Sequence, residues 1–367
     1  MPDGLRDPRM TLCPPSLPAR AYLDPDWHAR EQALIWGREW VCVGRRDDQP
    51  PGTMRPVRVG AAPVVLVRPE AGPMTAFHNV CPHRGAELCD AERPVGRLVT
   101  CPYHAFAFAA DDGRLVATGH ARPTPDFDRA GHGLKPVAVA EWGGWAFLSA
   151  AAEPGPLTAD LPLGTLAHWP LASLAVGHAT ALVLECNWKL FWENFSECLH
   201  CPGVHPALCE RVPLYGEGVM EPCEAPGWSG PAISGETWTA DGAAVAPPFP
   251  GLTEAERGAG HAFLTFWPSF FVVGHVDHVR AVRLEPLSPT RTRLTATWLF
   301  APEALPRIDA PAVAAFAQRV MAEDAAVVET NQRGLLSPAF ARGTLMPEEH
   351  EVRRFQDWVL ERLGGAP

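Results

Sequence analysis

Between residues 26 and 40 the apolar positions Trp27, Leu34, Ile35 and Trp36 are spaced among charges as on one side of a helix, and Asp24-Pro25 offers a start with proline in the first turn. The spacing then shortens. From 41 to 149 it follows β-type runs. Val64-Val65-Leu66-Val67 leads into Ala71-Gly72-Pro73 and the approach over 77–80, and Phe106 and Phe108 alternate with alanines. Asp112-Gly113 offers a tight turn before Leu115-Val116, and Gly144-Trp145-Ala146-Phe147-Leu148 closes the series. A stretch rich in Pro, Gly and Ala over 150–164 reads as a boundary. Beyond it a strand over 181–185 enters a helix over 188–200, strand-like runs fill 260–300, and amphipathic helices are predicted over 310–332 and 348–363. The expectation is an α+β chain: an N-terminal segment with a helix (1–40), an all-β domain (41–155), and a domain of antiparallel strands with flanking long helices (156–367).

A chain of 367 residues, 47% hydrophobic and 20% charged, has ample core for such a division. Its net charge of −11 argues against nucleic acid and against an anionic membrane surface as partners. No run approaches a membrane span, and residues 1–20 are proline-rich without a secretory hydrophobic segment, so a cytoplasmic protein is expected. Its ten cysteines then read as reduced thiols. Eight of them (Cys13, Cys42, Cys89, Cys186, Cys198, Cys201, Cys209 and Cys223) are most simply small buried hydrophobes.

The other two carry chemistry. Cys81-Pro82-His83 and Cys101-Pro102-Tyr103-His104 form the pattern C-x-H-x17-C-x2-H, each half beside a predicted hairpin. A Rieske [2Fe–2S] centre uses all four donors, two thiolates on one iron and two imidazoles on the other. A structural Cys2His2 zinc site needs the same four, but zinc sites usually pair Cys with Cys and His with His along the chain. The run Cys81-Pro82-His83-Arg84-Gly85, together with Cys101 to His104, resembles the cluster domain of the large (α) subunits of Rieske non-haem iron oxygenases. That family usually continues with Gly-Trp, where this chain has Ala105-Phe106, a change that bears on hydrogen bonding to the cluster and on its potential.

On a helix over 188–200, Glu193, Glu197 and His200 share a face, and Pro202-Gly203 should end the helix so that His205 swings back toward His200. Two imidazoles and one carboxylate make the facial triad of a non-haem Fe(II) oxygenase, with open positions for dioxygen and water. Asn187-Trp188-Lys189, Glu193-Asn194, Glu197, His200 and His205 match the family segment, which implies His200 and His205 as iron ligands and Asn194 and Glu197 as catalytic residues. Departures are Glu197, where many members have Asp, and Leu199, where many have Tyr. For the third ligand, Glu323-Asp324 followed by Glu329 and Gln332-Arg333-Gly334-Leu335 resembles the branch that oxidises choline, glycine betaine and carnitine, and implies Asp324. Glu323 and Glu329 read as solvated acids. A rival cluster is His275, Asp277 and His278, although strand alternation places the two histidines on opposite faces.

The resemblance further implies a head-to-tail homotrimer in which Glu197 bridges His200 and a neighbour's His104. No Gly-x-Gly-x-x-Gly and no phosphate loop is present, so NADH is expected to act only through a separate flavin and iron–sulfur reductase. The branch implies hydroxylation or oxidative N-demethylation of a quaternary ammonium compound, for which Trp192, Phe266, Trp267, Phe270, Phe271 and Trp298 are the candidate aromatic cage. Hydroxylation of an aromatic compound or aromatic acid is the alternative. A Rieske electron carrier without oxygenase activity, or a zinc-binding interaction protein, would account for the first motif only.

Overall fold

The computed structural model describes residues 10–157, 163–218 and 233–365. Cys223, the first nine residues and the middle of the 150–164 boundary lie outside the described residues. The chain forms two compact units, Gln32–Ala159 and a second that takes in Met1–Glu31 with Asp160–Pro367. The helix predicted over 26–40 is shorter than its pattern suggests, Pro25–Leu34, and past it the N–H groups of Arg38 and Glu39 both turn back to the Ile35 carbonyl around Gly37.

The smaller unit is β throughout. A seven-stranded antiparallel sheet runs in the order Val41–Arg45, Trp145–Ser149, Pro136–Trp142, Thr75–His78, Ala62–Arg68, Thr53–Val59 and Arg93–Pro94. Its central run Val64 to Val67 is fully buried on both faces, which is why that stretch is continuously apolar. A second sheet joins Leu98–Thr100, Phe106–Ala109 and Leu115–Thr118. Val65, Val67, Phe77, Val99 and Phe108 share one core with the thiols of Cys81 and Cys101.

The larger unit is built on a five-stranded antiparallel sheet in the order Ala175–Leu184, Arg291–Phe300, His278–Ser288, Phe270–His275 and His261–Phe266. Thr292, Leu294, Ala296, Trp298 and Phe300 are buried at every second position, as a half-buried strand requires. The long helix Ala310–Gly334 starts at Asp309, whose side chain accepts from the Ala312 N–H (3.2 Å). The last helix is His350–Arg362.

The segment beginning Asn187-Trp188-Lys189 owes its residues to anchoring. Asn187 caps the helix Trp188–Phe195 by accepting from the Lys189 N–H (3.0 Å), and its amide donates to the carbonyls of Tyr22 (3.2 Å) and Pro289 (2.6 Å). The Trp188 indole donates to Glu31 (2.8 Å), and Lys189 forms a wholly buried ion pair with the same carboxylate (2.5 Å). Glu193 is held by the Tyr22 hydroxyl (2.7 Å) and the Gln356 amide (3.0 Å). These bonds fix the helix that carries the site, and Glu193 faces this anchor rather than the metal-site donors.

Candidate active site

The two cysteine–histidine loops are built alike. In each, the cysteine N–H donates to the carbonyl five residues on, Cys81 to Ala86 (2.7 Å) and Cys101 to Phe106 (2.8 Å). Each cysteine carbonyl accepts from the N–H four residues on, that of Gly85 (2.9 Å) or Ala105 (3.1 Å). So tight a closure needs a left-handed residue at the fourth position. Gly85 has φ +76°, and Ala105, with φ +56°, is the one non-glycine of positive φ among the described residues. The thiols are buried, while His83 and His104 reach the surface with ring centroids 4.8 Å apart. Phe106 stacks on His83 at 4.4 Å.

Two thiols and two imidazoles are the donor set of a cluster that places cysteines on one iron and histidines on the other. Burial, above all, and the Cys101 thiol beside it raise the Cys81 pKa, so the thiolates need a compensating cation. Among the described residues the compact metal-type group lies elsewhere, at His200, His205 and Asp324, whose donor atoms fall within 4.8 Å.

That group is not arranged on one helix, as the periodicity of 188–200 predicts. The helix stops at Phe195 because Glu197 turns its carboxylate onto its own backbone, accepting from the N–H groups of Leu199 and His200, which a continuing helix would use internally. Nor does Pro202-Gly203 end a helix. Pro202 lies in the first turn of a new one, Cys201–Val204, and His205 sits between that turn and the helix Pro206–Arg211. The two rings still converge, with centroids 5.2 Å apart.

Asp324 Oδ1 lies 2.9 Å from His205 Nε2 and 3.5 Å from His200 Nε2, and it accepts from the Asn194 amide at 2.7 Å. The opposite ring nitrogens are also held, His200 Nδ1 by Glu197 (2.6 Å) and His205 Nδ1 by Glu323 (2.8 Å). Glu323 is therefore not a solvated acid. It ties His205 to Arg319 (2.8 Å), while Glu329 accepts from the Glu185 N–H (3.0 Å). Burial opposes charge on His200, but the bonds to Asp324 and Glu197 outweigh it and push its pKa up to about 9. Burial would likewise raise Asp324; its bonds to His200 and His205 prevail and bring it down to about 2. A divalent ion held by these three residues would displace the protons they share.

The rival cluster is accounted for structurally. Asp277 is buried and accepts from Thr237 (2.9 Å), His278 (2.8 Å) and the Val245 N–H (2.7 Å). His275 and His278 are not on opposite faces, since one ends a strand and the other begins the next, and their rings stack at 4.3 Å.

A cavity opens beside the triad. The pleat of the sheet turns His261, Phe263, Phe271, Val273, Arg280 and Val282 toward it, and Phe191, Asn194 and Phe195 face it from the helix at i, i+3 and i+4. Of the six predicted cage aromatics only Phe271 lines it. Trp192 donates to the Pro268 carbonyl (2.7 Å), and Phe270 precedes Phe271 on the opposite face of its strand. Phe266 pairs with Phe270 and shares that face. Trp267 packs on Phe355 and Trp358, and Trp298 on His178. Trp238, missed in sequence because no periodic element marks it, lines the cavity instead. Cys198 and Cys201, expected as free thiols, are disulfide-bonded at its edge, their Cα atoms 4.9 Å apart. Cys13 is exposed and Cys209 half-buried, so neither is a core hydrophobe.

Residues 39–128 match the Rieske [2Fe-2S] domain family, and residues 171–365 match the ring hydroxylating alpha subunit (catalytic domain) family. The glycine betaine monooxygenase oxygenase subunit of Chromohalobacter salexigens is 32% identical, over 95% of this chain and 86% of that protein. The carnitine monooxygenase oxygenase subunit of Escherichia coli strain K12 is 30% identical over 54% of each. A quaternary ammonium Rieske monooxygenase in complex with γ-butyrobetaine superposes with a TM-score of 0.71 at 20% identity, over 95% of each chain. Naphthalene 1,2-dioxygenase from Rhodococcus sp. superposes with a TM-score of 0.70 at 18% identity, over 96% of this chain and 95% of that one. Likeness at these identities is one of fold, and it does not choose between substrates.

Proposed function

The chain belongs to the ring-hydroxylating oxygenase α subunits of Rieske type, and on that footing we propose that it is the terminal oxygenase for a quaternary ammonium compound. Cys81 and Cys101 would hold one iron of a [2Fe–2S] cluster and His83 and His104 the other; His200, His205 and Asp324 would hold a mononuclear Fe(II). When bound, these groups supply single electrons and activate dioxygen for insertion into a C–H bond next to nitrogen. Glu197 and Glu323 accept hydrogen bonds from the Nδ1–H groups of the two histidines and so leave each Nε2 free for metal, and Asn194 steadies the carboxylate of Asp324. Phe191, Phe195, Phe263 and Phe271 exclude water and offer aromatic faces to a methylated cation. Overall, an N-methyl group of the quaternary ammonium, dioxygen, two electrons and two protons give the demethylated amine in its protonated form, formaldehyde and water.

The observation that carries this reading is two imidazoles and a carboxylate gathered at the wall of an aromatic cavity. As an oxygenase subunit it draws electrons from a separate reductase, which we take to carry the flavin and the NADH site. A cytoplasmic homotrimer, with Glu197 reaching a neighbour's His104, completes the proposal. No helix among the described residues is long and apolar enough to cross a membrane. The test is oxygen uptake with a reductase against a panel of betaines, choline and aromatic acids. Formaldehyde matching oxygen for a quaternary ammonium compound supports the reading. Uptake matched only by ring hydroxylation, which the naphthalene dioxygenase likeness keeps as the alternative, would replace it.

A further inference from the structure

One charged side chain in the cavity has no counterpart. Arg280 is 5% exposed, stands on the cavity face of its strand, and makes no hydrogen bond or ion pair among the described residues; its Nε is buried without a partner. Burial lowers its pKa only to about 10, with Asp324 opposing the fall, so it is charged at neutral pH. The oxygen of Asp324 that faces the site is already taken by His205 and Asn194. A buried guanidinium without a carboxylate is costly, and the cost persists unless something completes it.

Its neighbours are donors left over in the same way. Trp238 lies under the guanidinium, with its ring centroid 5.7 Å from Cζ, and its indole N–H is buried without a partner. His261, 1% exposed, has its ring centroid 5.2 Å from that of Trp238, and neither of its ring nitrogens makes a hydrogen bond of normal geometry. Burial, above all, holds His261 down to about 4, so it is neutral and keeps one N–H to give. All three line the one cavity. A planar cation with two nearby N–H groups matches a carboxylate, which accepts in two places at once.

We propose that Arg280, with Trp238 and His261, is a carboxylate subsite, and that the substrate is a betaine, a quaternary ammonium compound with its own carboxylate, rather than a plain cation such as choline. This rests on the ammonium reading above and sharpens it. The phenylalanine walls take the methylated nitrogen and Arg280 takes the far end, which orients one N-methyl group toward His200, His205 and Asp324. A plain cation would meet the guanidinium as a like charge.

The experiment is calorimetric titration of the anaerobic holoenzyme, without reductase, with glycine betaine, choline and benzoate. The titrations are repeated on Arg280→Met and Arg280→Lys, with circular dichroism showing that each variant is folded. Glycine betaine should bind roughly tenfold to a hundredfold more tightly than choline. Arg280→Met should erase that preference by weakening glycine betaine, with choline bound as well as by the native enzyme or more tightly, and Arg280→Lys should restore part of it. Equal binding of betaine and choline by the native enzyme, or a preference that survives Arg280→Met, overturns the subsite and leaves the ammonium reading standing. Tight benzoate binding that depends on Arg280, with no binding of either ammonium compound, keeps the subsite and overturns the ammonium reading. Binding of none of the three overturns the subsite.

Discussion

Glu323 grips the far nitrogen of His205 and is itself pinned by Arg319. Removing it leaves the ring free to turn and less basic. Glu323→Ala should therefore weaken Fe(II) binding by roughly tenfold to a hundredfold, and Glu323→Gln, which keeps an acceptor, by much less; a ferrous titration of the metal-depleted protein reads this directly. Ala105 offers a second test. A left-handed alanine costs about 1–2 kcal/mol, against about 0.4–1 kcal/mol that glycine loses through the unfolded chain. Ala105→Gly should thus raise the stability of the cluster-bearing unit by about 0.5–1 kcal/mol in denaturant unfolding, and a loss would contradict the strain. Ligand types were legible in sequence because short spacings such as C-x-H and C-x2-H constrain chemistry. The partners Glu323, Trp238 and Arg280 were not, since each acquires its role from contacts more than 30 positions away in the chain or from which face of a strand it occupies.

At the scale of elements, alternation predicted the sheet well and periodicity predicted the helices less well near their ends. Helix 310–332 and strands 262–266 and 294–300 appear where the pattern puts them, since their apolar faces decide their packing. The helix over 188–200 fails because one carboxylate competes for its backbone, and the 275–278 pair fails because a bend falls between the two histidines. The same helix carries a pH dependence. Burial outweighs the bonds from Tyr22 and Gln356 and raises Glu193 from 4.5 to about 7. The folded state therefore binds this proton more tightly than the unfolded chain. Its contribution is whole below about pH 4.5 and is lost as pH rises through about 7, on the order of 3 kcal/mol. The thermal midpoint should fall between about pH 5 and pH 8, and Glu193→Gln should flatten that fall; an unchanged slope would place the titration elsewhere.

For the whole molecule, the cluster loops and the triad lie in separate compact units. In the proposed trimer, electrons pass from one subunit's cluster to the next subunit's iron through Glu197. Glu197→Ala should keep both metal centres yet lose coupled turnover, and near-normal product formation by that variant would dispose of the bridge. The composition change at 150–164 suggests a boundary in sequence, but nothing there signals that residues 1–31 group with 160–367, and assembly is not written in any local pattern. The most direct test of two iron centres in one chain is the metal content of anaerobically purified protein beside its Asp324→Ala variant. The account predicts about three irons and two sulfides per chain in the native protein, and about two irons with the same sulfide in the variant. Zinc in place of iron, or about two irons in both proteins, would contradict it.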